Sequence, residues 1–393
     1  MDKRSKDGRF IVFGEPKIGA DERREVLKVL DSGWLSTGPR VAKLEGLLKN
    51  YIGSRFACAL NSCSAALHLS LLAAGIADGD EVITVPFTYA ATVNAILNVR
   101  ARPVFVDIRL DTFNIDADLI ENRITKRTKA IMPVHFAGRP CDMDKIMAIA
   151  RRHGLLVIED AAHAVGAKYR GKMIGDVGDI TCFSFYANKN LTTGEGGMVT
   201  TNDPSIAEKI RILSFNGITN TPWSRYLEKD LNSHNIVSTG YKYNMTDLHG
   251  ALGIHQLKRA VSFLKRRNNI WAVYDKSFKD MLVGVPLPQE RGTIHARHLY
   301  TLLLNIEELG MDRDRFRLLM RDKNIGTGVH FIPLHLNAFY QRILKYKRGD
   351  YPNSEFISER IVSLPLSCAL SDKDVLRVAN STRDVLSKRG RIG

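Results

Sequence analysis

The stretch Gly154-Leu155-Leu156-Val157-Ile158-Glu159-Asp160-Ala161-Ala162-His163 decides the fold. An apolar run enters from a glycine and leaves through two carboxylates. A short continuous run of this kind reads as a strand buried on both faces, the hallmark of a parallel sheet. Upstream of it stand a helix from Asp142 to His153, a strand from Ala130 to Val134, a helix from Asp116 to Ile124 and a strand from Pro103 to Asp107. Further back come a helix from Tyr89 to Leu97, a strand from Glu81 to Pro86 and a helix from Ser64 to Ala74, with an amphipathic helix between Asp21 and Gly33. Strands alternating with helices predict βαβ units and a mostly parallel sheet sandwiched by helices. Downstream, Ile180 to Tyr186 and Gly197 to Thr201 read as consecutive strands and break the alternation.

Near Thr246 a new helix begins, and a basic helical stretch from Leu257 to Met281 reads as a bridge to a second unit. There His298 to Ile306 is strand-like, Asp314 to Lys323 helical, and Ser371 to Leu386 helical with Ser371 as N-cap. Because 393 residues exceed the roughly 250 to 300 at which single cores split, two domains are expected. We place them at residues 14–255, a large α/β domain, and 256–393, a smaller α+β domain.

Hydrophobic residues at 44% and charged residues at 25% exclude a disordered or fibrous chain. The longest nearly apolar stretch, Leu67 to Ala77, falls far short of the roughly 20 residues of a membrane span. The residues after the charged start are too few in apolar run for a signal peptide, so a cytoplasmic protein is expected. Five cysteines, Cys58, Cys63, Cys141, Cys182 and Cys368, lie without the close pairs of a zinc site or disulfide framework, and reduced thiols with no metal are expected. The net charge of +15 fits nucleic acid, an anionic surface or a phosphorylated substrate alike. Part of it sits in the end segments, in Lys3, Arg4, Lys6 and Arg9, then Lys388, Arg389 and Arg391. No finger spacing or RNA-binding aromatic motif accompanies it, so nucleic acid is not expected as a partner.

Ligands of α/β sheets bind beyond the carboxyl ends of strands, which places Asp160 for chemistry. Cys182-Phe-Ser-Phe-Tyr-Ala-Asn-Lys189 runs on into Gly194-Glu-Gly-Gly197. A lysine between an apolar strand and a glycine-rich loop serves either a phosphate or a Schiff base with a carbonyl. The Walker order of glycines, lysine and hydroxyl is absent, which favours the Schiff base. If the carbonyl is that of pyridoxal phosphate, the ring nitrogen needs an acid, the phosphate an anion site and the ring a flat neighbour. Asp160 supplies the first. Asn61-Ser-Cys-Ser64 opens a helix, so the amides of Cys63 and Ser64 and the Ser64 hydroxyl can meet a phosphate. Tyr89, at another strand-to-helix turn, can stack on the ring.

Asn61-Ser-Cys-Ser-Ala-Ala, Pro86-Phe-Thr-Tyr-Ala-Ala-Thr, Pro133-Val-His-Phe-Ala-Gly, Glu159-Asp-Ala-Ala-His-Ala, Phe183-Ser-Phe…Lys189, Gly194-Glu-Gly-Gly and Gly240-Tyr-Lys-Tyr-Asn-Met-Thr-Asp stand in this order along the chain. The set resembles the pyridoxal-phosphate sugar aminotransferases of the DegT/DnrJ/StrS family. That resemblance implies a type I aminotransferase fold, a homodimer with shared active sites, and amino transfer from glutamate to a keto group of a nucleotide-diphosphate sugar. It also implies Lys189 as the Schiff-base lysine and Asp160 as the ring-nitrogen partner. His163 falls beside the ring hydroxyl, Tyr89 on the ring face, and Ser184 with Ser64 on the phosphate. Many members read Gly-Tyr-Asn-x-Arg where this chain has Gly240-Tyr-Lys-Tyr-Asn, which leaves Lys242 and Asn244 as two alternatives for the residue reaching the neighbouring subunit's phosphate. Gly326-Thr-Gly-Val-His-Phe-Ile-Pro-Leu-His335 resembles the C4 aminotransferases, including the one that makes UDP-4-amino-4-deoxy-arabinose, and puts His330 near the substrate. A C3 aminotransferase on a dTDP- or GDP-ketosugar is an alternative. A dehydratase of the same fold is another, but it is expected to carry histidine where this chain has Lys189. A non-enzymatic regulator is a third, suggested by charge alone.

Overall fold

A computed structural model describes residues 8–219 and 235–387. The basic residues at 3, 4, 6, 388, 389 and 391 lie outside the described residues. After helices α1 (Ala20–Ser32) and α2 (Pro39–Ile52) come β1 (Phe56–Leu60), α3 (Cys63–Ala73), β2 (Glu81–Thr84), α4 (Ala90–Asn98), β3 (Arg102–Phe105) and β4 (Thr128–Ile131). Then follow α5 (Met143–His153), β5 (Leu156–Asp160), a small hairpin of β6 (Lys168–Tyr169) and β7 (Lys172–Met173), β8 (Ile180–Ser184), β9 (Gly197–Thr201) and α6 (Pro204–Ser214). Seven of these strands form one sheet in the order β1-β9-β8-β5-β4-β2-β3. All its neighbours are parallel except where β9 runs against both β1 and β8. The expected break in the alternation is therefore this one reversed strand.

Both faces of the sheet are covered, as a parallel sheet requires. Ile83, Ile131 and Val157 face a core that includes α2 and α5, whereas Val82, Ala130 and Ile158 face α3 and α4. Alternation along each strand thus divides its residues between two apolar layers. A separate three-stranded sheet of β10 (Val283–Gly284), β11 (Tyr300–Leu304) and β12 (Ile361–Leu364) packs on the helices Ala260–Phe278, Arg313–Asp322 and Asp372–Ser387. Ile11 joins this second core and bridges to Ile325. The last helix is capped by Ser371, whose Oγ accepts the Asp374 N–H while Asp374 accepts the Ser371 N–H in return.

Two expectations of local structure are corrected. Asp116 to Ile124 is not an α-helix but two 3₁₀ turns, Ala117–Leu119 and Glu121–Arg123. The Asp116 side chain accepts from the N–H two residues on, and the turn closes by the tighter bonds Leu119 N to Asp116 O and Ile120 N to Ala117 O. The basic stretch from Leu257 is also not one helix. Asp247–Lys258 ends at Arg259, and Ala260–Phe278 starts after it. Arg259 turns its guanidinium to the fully buried Glu22 and over the Phe263 ring, 4.9 Å from its centroid. Among the described residues no helix is long and apolar enough to cross a membrane. All five cysteines are free and buried.

Two glycines test this packing in opposite directions. At Gly197 a Cβ would sit 2.4 Å from the carbonyl carbon and oxygen of Ser62 and 2.6 Å from the Cys63 nitrogen, so β9 lies directly against the start of α3. At Gly46, inside α2, a Cβ meets nothing within 4 Å. Gly197→Ala is expected to destabilise by about 1–3 kcal/mol through a backbone clash, and Gly46→Ala to stabilise by about 0.5–1 kcal/mol through helix propensity. Urea unfolding of both variants checks the pair. Equal and small effects would contradict the contact.

Candidate active site

The carboxyl ends of β5 and β8 and the first turns of α3 and α4 converge on a cavity of ≈ 410 Å³. Lys189 reaches it from a loop that leaves β8 and returns to β9. The loop is closed by Thr193 N to Phe185 O at 2.9 Å and Phe185 N to Gly196 O at 2.9 Å, and Asn190 ties it to Ala296 O at 2.7 Å. The lysine is thus carried on a fixed loop, partly buried. Burial lowers its ammonium to about 8, with Asp160 opposing the shift.

At the end of β5, alternation turns Glu159 and Asp160 to opposite sides. Glu159, 0% exposed, accepts from the Thr181 hydroxyl at 2.6 Å, the Gly178 N–H at 2.9 Å and His135 Nε2 at 2.8 Å. The Cys141 N–H enters His135 Nδ1, which fixes this imidazole with its proton on Nε2. Asp160 lines the cavity instead. Burial raises its carboxyl, while Thr92 Oγ1 at 2.7 Å and the Ala162 N–H at 3.1 Å pull it back toward the carboxylate. Thr88 extends the chain to Thr92 at 2.8 Å.

The anion side lies at the start of α3. Its N-cap is Ser62, which accepts from the Ala65 N–H. The helix begins at Cys63, one residue earlier than expected. The amides of Cys63 and Ser64 have no hydrogen-bond partner among the described residues, and Gly197 leaves no side chain between them and β9. The Cys63 thiol donates to Cys182 O at 3.8 Å. Ser64 is exposed and Ser184 buried, and both line the cavity. Unpaired amides at a positive helix end, two hydroxyls and a buried carboxylate fit a phosphate-bearing pyridine ring.

His163 accepts the Ala137 N–H at Nδ1, 3.3 Å, and so presents Nε2–H. Burial first, and the charges of Lys189 and His330 second, hold its pKa well below the usual range. Tyr89, 67% exposed, stands at the cavity with its ring 6.5 Å from that of Phe331. His330 is also in the wall, its Nδ1 2.8 Å from the Ser363 hydroxyl and its ring stacked on Phe13 at 5.4 Å. Burial and Lys189 lower it to about 4. Lys242 and Asn244 do not line the cavity of their own chain. Lys242 Nζ lies 4.0 Å over the Phe215 ring, and Asn244 donates to the Thr37 hydroxyl at 2.7 Å. Sequence reasoning missed Thr92, Glu195, His298 and Phe331. Thr92, Glu195 and Phe331 stood inside quoted motifs without being singled out, whereas His298 carried no local signal.

The model of the DegT/DnrJ/EryC1/StrS aminotransferase family matches residues 16–383. The chain belongs to this family. It is a pyridoxal-phosphate-dependent aminotransferase of the type I fold. The spore coat polysaccharide biosynthesis protein SpsC of Bacillus subtilis is 47% identical over 383 residues, 97% of this chain and 98% of that one. Among solved structures, the PLP-form of Spr1654 from Streptococcus pneumoniae is 34% identical with a TM-score of 0.89, covering 96% of this chain and 99% of that chain. PseC of Helicobacter pylori, an aminotransferase involved in the biosynthesis of pseudoaminic acid, is 28% identical with a TM-score of 0.89, covering 96% and 98%.

Only the neutral amine of Lys189 can attack a carbonyl, so covalent capture of pyridoxal phosphate by the cofactor-free protein should speed up as pH rises. The midpoint is expected at about 8 rather than at the 10.5 of an ordinary lysine. Stopped-flow absorbance measures it, with Lys189→Ala showing no covalent capture. A midpoint above 10, or capture by the Ala variant, would refute the assignment.

Proposed function

We propose that this protein transfers an amino group from glutamate to the 4-keto group of a nucleotide-activated, UDP-linked deoxy sugar. The product serves cell-surface polysaccharide or lipopolysaccharide biosynthesis. The observation that carries the reading is the meeting of Lys189, Asp160 and His163 with His330 in one cavity that opens on an anion-binding helix end. The naming of SpsC for spore coat polysaccharide and of PseC for pseudoaminic acid supports a sugar as the amino acceptor. The likeness of Gly326 to His335 to C4 enzymes supports the ring position.

When bound, pyridoxal phosphate supplies an electron-withdrawing ring that acidifies the carbon bearing the exchanged amine. Asp160, whose oxygens accept from Thr92 Oγ1 and the Ala162 N–H, would favour a proton on the ring nitrogen. The amides of Cys63 and Ser64 and the hydroxyls of Ser64 and Ser184 would hold the phosphate. His163, whose Nε2–H faces no described partner, would donate to the ring hydroxyl, and Tyr89 would cover the ring face. Lys189 Nζ would take up the proton from the amino donor's α-carbon and hold it for return, and would act in the reverse sense with the sugar. His330, neutral across the physiological range, contacts the sugar without adding charge.

A panel of UDP-, dTDP- and GDP-linked 4- and 3-ketosugars, each with glutamate, tests the substrate. The expected result is the highest kcat/KM for a UDP-linked 4-ketosugar. A preference for a 3-ketosugar would refute the C4 reading.

The protein acts as a homodimer in which Lys242 or Asn244 of one copy completes the phosphate site of the other. Neither residue serves its own cavity, which supports this reading. Lys189→Ala and the double variant Lys242→Ala with Asn244→Ala are each expected to be inactive. Subunit exchange between them should restore turnover, because one site of the mixed dimer then escapes both changes. No recovery after exchange verified by mass spectrometry would show that each chain builds its own site.

A further inference from the structure

Two imidazoles stand side by side in the cavity wall, and their hydrogen bonds fix them in opposite tautomers. The ring centroids of His163 and His298 are 4.4 Å apart, and both residues are buried. His163 receives the Ala137 N–H at Nδ1, so its proton is on Nε2. His298 is the reverse case. Asn190 donates its Nδ2–H to Ala296 O at 2.7 Å, which leaves Oδ1 facing His298 Nδ1 at 3.1 Å. An amide oxygen only accepts, so the His298 proton is on Nδ1 and Nε2 carries a lone pair. No described residue is hydrogen-bonded to that lone pair, and Nε2 keeps some exposure in the cavity wall.

The main chain holds this imidazole in place without using Nε2. The His298 N–H donates to Ala137 O at 2.9 Å, so Ala137 links both histidines through its N–H and its C=O. Arg267, buried behind it, donates to the carbonyls of Arg297, His298 and Leu366 at 3.2, 3.4 and 2.9 Å. A cavity wall with one N–H donor and one bare acceptor can sort polar groups by hydrogen-bonding sense.

We propose that His298 is a substrate-contacting residue whose Nε2 accepts a hydrogen bond from an N–H or O–H at or beside the carbon that exchanges its amine. The proposal rests on the reading of the cavity as an amino-transfer site. The donating group is either the ammonium of the amino donor or a hydroxyl of the sugar.

The test uses His298→Phe, which keeps a flat ring against His163 and removes the acceptor, and His298→Gln, which restores an acceptor. Imidazole ¹⁵N spectra of the wild-type protein before cofactor is added should show His298 protonated at Nδ1 only, and the opposite tautomer would overturn the proposal. With pyridoxal phosphate bound, each half-reaction is followed by visible absorbance, first with glutamate and then with a UDP-linked 4-ketosugar. The Phe variant should keep the wild-type cofactor affinity and spectrum, yet lose about tenfold or more in at least one half-reaction, with Gln recovering most of it. Slowing with glutamate identifies the ammonium, and slowing with the sugar identifies the hydroxyl. Wild-type rates for the Phe variant in both halves overturn the proposal. So does loss of cofactor binding in both variants, which would mark His298 as structural. A wild-type protein that fails to turn over amino donor and ketosugar overturns the underlying reading, and that failure is visible before any variant is made.

Discussion

A buried carboxylate has to find donors, and the end of β5 has two carboxylates in consecutive positions. Alternation leaves their side chains no common hydrogen-bond donor. Glu159 faces the interior and takes three donors from three places: the His135 imidazole after β4, the Gly178 amide before β8 and the Thr181 hydroxyl on β8. These contacts tie the ends of three adjacent strands together. A Cβ on Gly178 would fall 2.8 Å from Glu159 Oε1, so the approach depends on glycine. Asp160 is thereby left pointing into the cavity, with Thr92 and Ala162 as its donors. Structural and chemical demands fall on neighbouring residues, and the pleat of one strand keeps them apart.

The same division decides how much could be read from the chain. Elements whose burial is continuous were legible: β5, β8 and β9 stand where their apolar runs place them, and α5 starts one residue after Asp142. Motif residues close in sequence to a strand end, such as Asp160, His163 and Lys189, were legible for the same reason, because the carboxyl end of a parallel strand is a site by topology. The 3₁₀ turns after Asp116 were misread because Ala117 and Ile120 are buried three residues apart, a spacing that a helix would also satisfy. Local side-chain bonding, which periodicity does not register, chose the tighter turn. Ser62 and Ser64 flank Cys63, and composition alone could not tell cap from ligand.

His298 and Phe331 show the other limit. Their places in the cavity depend on how the second unit packs on the first, through Ala137–Gly138 and through Leu334 N to Pro86 O at 2.8 Å. At Gly138 a Cβ would lie 2.6 Å from His163 O and 2.9 Å from the Ala296 Cβ, so the two units touch where no side chain intervenes. Contacts of this kind join residues more than 150 positions apart, and no window along the sequence contains both partners.

The order of the strands has a consequence for synthesis. All seven strands of the main sheet lie between residues 56 and 201, so a ribosome has delivered them, and Lys189 with them, before any of the three-stranded sheet exists. Ile11 is made first, yet its bridge partner Ile325 comes more than 300 residues later, and the segment carrying it must wait unpaired through most of translation. His298, His330 and Phe331 emerge after the sheet. The nascent chain therefore has its lysine, carboxylate and anion site in hand before the wall that sorts substrates is added, and the second unit closes a pocket whose floor is already laid.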